Sequence, residues 1–161
     1  MESGAHMTGQ IWYEDFVPGT ELTSQMRRIT IRDIDDFAAL TGERHPVHMD
    51  DAFAQAAGFK GRIAHGMFGL ALIEGLKSGL QLFERSVIAS LGWNKVRFLA
   101  PLEPGDEVRL RLLFTDRRMT SKPGRGLARE RGILEKSDGT VVTTGDHLVL
   151  ILCRPQGAEA Q

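Results

Sequence analysis

The sequence predicts an α+β domain in which one antiparallel sheet curls around a single buried helix. Three observations carry this expectation. Residues 66–80 are almost wholly apolar, the C-terminal half alternates apolar and polar residues in long runs, and Pro-Gly and Asp-Gly pairs divide those runs. A helix that is apolar nearly all round needs cover on most sides, and the runs that follow it supply the cover.

The elements follow in chain order. A turn at Pro18-Gly19 precedes a short run with strand character within residues 8–29. Thr30 with Asp33 forms a capping box, and the helix it opens sets Ile34, Phe37, Ala38 and Leu40 on one face before Gly42 stops it. Pro46 blocks helix continuation and holds His45 extended, so residues 43–50 form a bent connection. A short helix runs from Asp51 to Ala57 and stops at Gly58. The buried helix, from Gly66 to about Leu80, carries only Glu74 and Lys77 as charges. Val108, Leu110, Leu112 and Phe114 alternate with Arg109, Arg111, Leu113 and Thr115 as a half-buried strand, and further strands are expected at about 86–99, 126–136 and 140–153.

Composition narrows the function classes. A chain of 161 residues supports one core, and 42% hydrophobic with 25% charged residues is the ordinary globular range. Twenty Lys and Arg against 21 Asp and Glu leave a net charge of −1, so no nucleic-acid partner is expected. The longest stretch without Asp, Glu, Lys or Arg, Ile63–Ile73, falls far short of the roughly 20 residues of a membrane span. The single cysteine, Cys153, follows Val149–Leu152 and reads as a small buried hydrophobe of a strand. Residues 1–6 read as a cloning remnant ahead of Met7, without a basic-then-apolar leader, so a cytoplasmic location is expected.

The densest chemistry lies in Glu43, His48 and Ile63–Met67. Glu43 and His48 stand five residues apart across the Pro46 bend, which lets both converge on one water. Gly66 opens the buried helix, whose first N–H groups lack intrahelical partners and sit at the positive end of the helix dipole. That combination suits hydration of an enoyl thioester: a base for the water, a proton for the α-carbon, and donors for the enolate oxygen. By position alone Glu43 also reads as a solvated charge past a helix end, and His45 as either a structural hydrogen-bonder or a site residue. A metal site from His45, His48 and Asp50 matches no zinc spacing and lacks a fourth ligand. Arg117, Arg118, Lys122 and Arg125 form a basic cluster read as a loop, either solvated or facing phosphates.

The stretches Asp36–Asp50, Ala57–Phe59, Gly61–Met67 and Val96–Asp106 together resemble the MaoC-like dehydratases, the (R)-specific enoyl-CoA hydratase group. The resemblance implies a hot-dog fold, a dimer with its sheets joined edge to edge, an acyl-CoA substrate, and neither metal nor organic cofactor. It assigns catalysis to His48 and the thioester contact to the Gly66 N–H. Glu43 falls where the family has Asp, His45 where many members have Asn, and Glu74 where some have Ser. Arg62, His45, His65 and Met67 are expected around the substrate, with His65 a helix-cap or packing residue. The implied reaction is reversible hydration of a trans-2-enoyl-CoA. A hot-dog thioesterase and an inactive acyl-CoA-binding protein are the alternatives.

Overall fold

The C-terminal half forms four long strands, with buried and exposed residues alternating along the middle two, and the computed structural model describes residues 9–156. The reading of residues 1–6 lies outside the described residues. A 3-10 turn at Tyr13–Asp15 leads to β1 (Glu21–Thr23) and β2 (Arg27–Arg28), then to α1 (Ile31–Thr41), α2 (Pro46–Met49), α3 (Asp51–Ala56) and α4 (Gly66–Ser78). The strands β3 (Val87–Phe98), β4 (Glu107–Met119), β5 (Arg125–Lys136) and β6 (Val141–Leu152) complete the chain. The sheet order is β1-β4-β5-β6-β3, with β2 also on β4, and every pairing is antiparallel. The α4 helix packs on β4, β5 and β6, which is the hot-dog arrangement expected from the sequence.

Small inward-facing residues set how closely helix and sheet approach. The inward positions of β5 are Gly126, Ala128, Glu130, Gly132 and Leu134. A Cβ on Gly132 would stand 2.7 Å from Ile73, and one on Gly69 would stand 2.6 Å from Thr143. Leu72 and Ile73 of α4 therefore pack into a core with Leu110, Phe114, Leu134 and Val149.

Several expectations need correction. Leu40 is 84% exposed, so the inner face of α1 consists of Ile34 and Ala38 with Phe37 at its margin. The helix α4 stops at Ser78, and one side of it stays open at Met67 and Ala71. Arg117 and Arg118 belong to β4 rather than to a loop, and the Arg117 guanidinium donates to the carbonyls of Tyr13 and Glu14. Cys153 lies beyond the end of β6 and is half-buried. Its thiol pKa is pushed up by burial and by the nearby Glu14 carboxylate. The capping box at Thr30 and the left-handed Gly42 occur as expected. No helix among the described residues is long and apolar enough to cross a membrane.

Candidate active site

The left-handed turn at Gly42 ends α1 and leaves Glu43 as the first residue beyond it. Pro46 both prevents that helix from continuing and starts the single turn of α2, because its fixed φ suits the first helical position. His48 is thereby turned toward Ile63. Its Nδ1 donates to the Ile63 carbonyl at 2.8 Å, which assigns the tautomer and leaves Nε2 as an acceptor.

The Glu43 carboxylate is held from two sides. Oε1 accepts the His45 backbone N–H at 2.7 Å. Oε2 lies 2.9 Å from His65 Nε2 and 3.3 Å from His48 Nε2. The His48 and His65 rings stack with centroids 3.8 Å apart, and His65 Nε2 also reaches the Glu43 carbonyl at 3.0 Å. His65 is thus the N-cap residue of α4 by position, yet its side chain makes no cap hydrogen bond and joins this cluster instead. The sequence reading undervalued it, since nothing local indicates that residue 65 folds back onto residue 43.

The electrostatics separate Glu43 from His48. The His45 N–H holds the Glu43 carboxyl below the usual carboxylate range, with the neighbouring imidazoles adding to the effect. Burial lowers His48 below its ordinary 6.5, outweighing the raising effect of its bond to Ile63. Near neutral pH the site therefore presents a carboxylate and a neutral imidazole, two acceptors side by side. A molecule with two O–H donors satisfies both.

Gly66 starts α4 beside this pair. A Cβ there would stand 2.8 Å from the Phe98 ring, so the aromatic face occupies the room a side chain would need. Phe98, His48, His65 and Gly66 line two cavities at once. One, of about 330 Å³, extends toward Phe59, Leu102 and Thr143. The other, of about 630 Å³, follows the open side of α4 past Met67, Leu70 and Ala71 to Glu74 and Trp93. Phe98 lies within the Val96–Asp106 stretch, but its place over Gly66 arises only from the sheet.

Of the other expected substrate contacts, Met67 lines the larger cavity, whereas Arg62 and His45 line neither. Arg62 binds Asp35 of α1 at 2.9 Å and lines neither cavity. His45 is exposed, accepts from the Val47 N–H at 3.3 Å, and orients Glu43 through its backbone. Met67 is 57% exposed and lines the larger cavity. Glu43, His48 and His65 are also the group among the described residues that could hold a metal ion, with ligand atoms within 4.8 Å of one another.

A second polar cluster was not expected. Glu130 is fully buried on β5, paired with Lys77 of α4 and accepting from His147 Nδ1 at 3.0 Å. His147 Nε2 lies 2.7 Å from Ser90 Oγ and 3.2 Å from Glu74 Oε1, and its ring stacks on Trp93 at 4.3 Å. Burial works to raise the Glu130 pKa, but the His147 hydrogen bond and the Lys77 charge overcome it and hold the carboxyl below 4.5. The sequence signal was the presence of Glu130 and His147 at inward strand positions otherwise filled by small or apolar residues.

The sequence model of the MaoC like domain matches residues 15–131. The chain is 36% identical over 111 residues to the protein MaoC of Klebsiella aerogenes, covering 69% of this chain and 32% of that protein. It is 32% identical over 103 residues to the 3-hydroxybutyryl-CoA dehydratase of Methylorubrum extorquens, covering 63% of this chain and 62% of the relative. It thus spans less than two thirds of either relative's length. Among solved structures, the MaoC-like dehydratase of Rhodospirillum rubrum superposes with a TM-score of 0.80 at 25% identity, covering 90% of this chain and 99% of that one. With the matched domain extending from the 3-10 turn into β5 and so enclosing the whole Glu43–His48–Gly66 site, the chain belongs to the MaoC-like domain family.

Proposed function

We propose that the chain is a hydro-lyase that interconverts a trans-2-enoyl-CoA and a 3-hydroxyacyl-CoA, with its own side chains performing the proton transfers. The observation that carries this reading is the acceptor pair, Glu43 Oε2 and His48 Nε2, 3.3 Å apart at the mouth of an apolar cavity. A water seated over the pair donates to both. As its oxygen adds to the β-carbon, one proton passes to the pair and the α-carbon takes one back, so the net change is addition of water. Negative charge builds on the thioester oxygen, where the Gly66 N–H and the N-terminal dipole of α4 stabilise it. The two cavities that meet at Gly66 suit the two arms of a thioester, with the acyl chain along α4 and the pantetheine arm toward Phe59 and Leu102.

A second copy of the chain is proposed to pair along β3. This strand forms one edge of the sheet, and Ile88, Leu91 and Phe98 on it are each about half exposed. An open apolar edge of this length is an aggregation hazard unless another strand covers it.

The test is direct. With crotonyl-CoA, the protein should remove the absorbance of the conjugated enoyl thioester without releasing thiol. Glu43→Gln, which keeps the shape but accepts no proton, should lower the rate ~10²-fold or more. Release of free CoA would instead identify a thioesterase. Tight acyl-CoA binding with neither change would identify a binding protein.

A further inference from the structure

The larger cavity does not end in a purely apolar wall. Its far end is formed by Trp93 and Glu74, eight residues beyond Gly66 on α4. At ~1.5 Å per residue this is a run of ~12 Å. Glu74 Oε1 is buried there without a hydrogen-bond partner, 3.2 Å from His147 Nε2. Ser90 and His147 stand behind Glu74 in an adjoining cavity of about 320 Å³, which Glu74 and Lys77 also line. His147 Nδ1 faces Glu130 at 3.0 Å and its Nε2 faces the Ser90 hydroxyl at 2.7 Å.

The cluster is rigidly held. His147 is 1% exposed, clamped by Glu130 on one ring nitrogen and by Trp93 across its face, while Glu130 is neutralised by Lys77. With the Lys77 and Glu130 charges cancelling, the Glu74 carboxylate remains as an acceptor at the end of an otherwise apolar channel. An acyl chain ending in methyl would bury against it and leave it unpaired, whereas a chain ending in a donor would satisfy it. A carboxylate at the chain end would be repelled.

We propose that Glu74 marks a specificity site for the distal end of the acyl group, and that the preferred substrates are medium-chain acyl thioesters ending in a hydroxyl. This rests on the reading of the larger cavity as the acyl channel. It adds the chemical class of the chain end, which the catalytic pair leaves open.

The test compares medium-chain enoyl-CoA substrates of matched length ending in methyl, hydroxyl or carboxylate. For the wild-type protein, kcat/KM should be ~10-fold higher for the hydroxyl than for the methyl end, a modest share of what a donor-matched site can discriminate because Glu74 is partly open to solvent. The carboxylate end should be the poorest of the three. Glu74→Leu should reverse the methyl and hydroxyl order. The proposal is overturned if the methyl end is used as well as the hydroxyl end, or if Glu74→Leu leaves their ratio unchanged. A parallel calorimetric titration with saturated acyl-CoAs bearing the same three ends reads the preference from binding alone. If no enoyl-CoA is hydrated yet the hydroxyl end still binds tightest and loses that advantage in Glu74→Leu, the hydratase reading fails and the distal site stands. Equal binding of all three ends overturns the distal site whatever the protein's catalytic behaviour.

Discussion

Oε2 of Glu43 lies 2.9 Å from Nε2 of His65, and this contact brings a carboxylate from the end of α1 against the start of α4. His65 is 5% exposed while Glu43 is exposed, so the buried ring positions the exposed carboxylate. The extra methylene of Glu, relative to the Asp that the family resemblance places here, gives the side chain the reach to span His45 N–H, His65 and His48 together. Glu43→Asp should consequently draw the carboxylate back by about 1 Å and lower hydration up to ~10²-fold. It should still exceed Glu43→Gln, since it keeps a proton acceptor, and steady-state rates on crotonyl-CoA give the ranking.

The protonation states set the pH profile. The proposed reaction uses neutral His48 and ionised Glu43, and both pKa values are lowered, His48 from 6.5 and Glu43 from 4.5. The rate should be level around pH 7 and fall on the acid side as pH drops through the His48 value, below 6.5. His48→Ala should cost ~10²-fold or more at pH 7 and remove that limb from the remaining activity. A folded His48→Ala protein with a near-normal rate would exclude the imidazole from the reaction.

Removing the Gly66 N–H has to be separated from crowding Phe98. Because a Cβ at residue 66 meets the Phe98 ring at 2.8 Å, Gly66→Ala alone displaces the ring and is not a neutral control. In a Phe98→Ala background the space is open, and Gly66→Ala should then be tolerated. Gly66→Pro in the same background keeps the helix start but deletes the N–H, and should lower turnover a further ~10²–10³-fold. Circular dichroism establishes folding, and equal rates for the Ala and Pro variants would exclude the backbone donor.

The buried Lys77–Glu130 pair makes a prediction about stability. Lys77→Met leaves the Glu130 charge without its partner and should cost ~3–5 kcal/mol, whereas Lys77→Met with Glu130→Gln should recover most of that loss. Since the folded-state Glu130 pKa lies below 4.5, its contribution is present above pH 4.5 and disappears as pH falls through the folded value. Thermal melts of Glu130→Gln should therefore depend less on acid pH than those of the wild type.

Local periodicity carried the fold. The strands β4 and β5 alternate with period two, α4 is apolar almost all round, and the caps at Thr30 and Gly42 act through neighbouring backbone, so these elements were legible from residues close in sequence. The pairing of Glu43 with His48 was legible for the same reason, as both flank one Pro-induced bend. Leu40 was misread because helical spacing marks a broad face, and only contact with the sheet decides which edge of that face is covered.

Tertiary structure decided the rest. His65 comes to Glu43 across 22 residues, Phe98 covers Gly66 from the far end of β3, and Lys77, Glu130, His147 and Ser90 meet from one helix and three strands. None of these groups has a partner within its own turn or strand. Their hydrogen bonds exist because burial strips away water and forces each polar atom to find an acceptor or donor wherever the packed chain supplies one. A sequence marks such residues as polar in an apolar run, and the fold alone determines which of them meet.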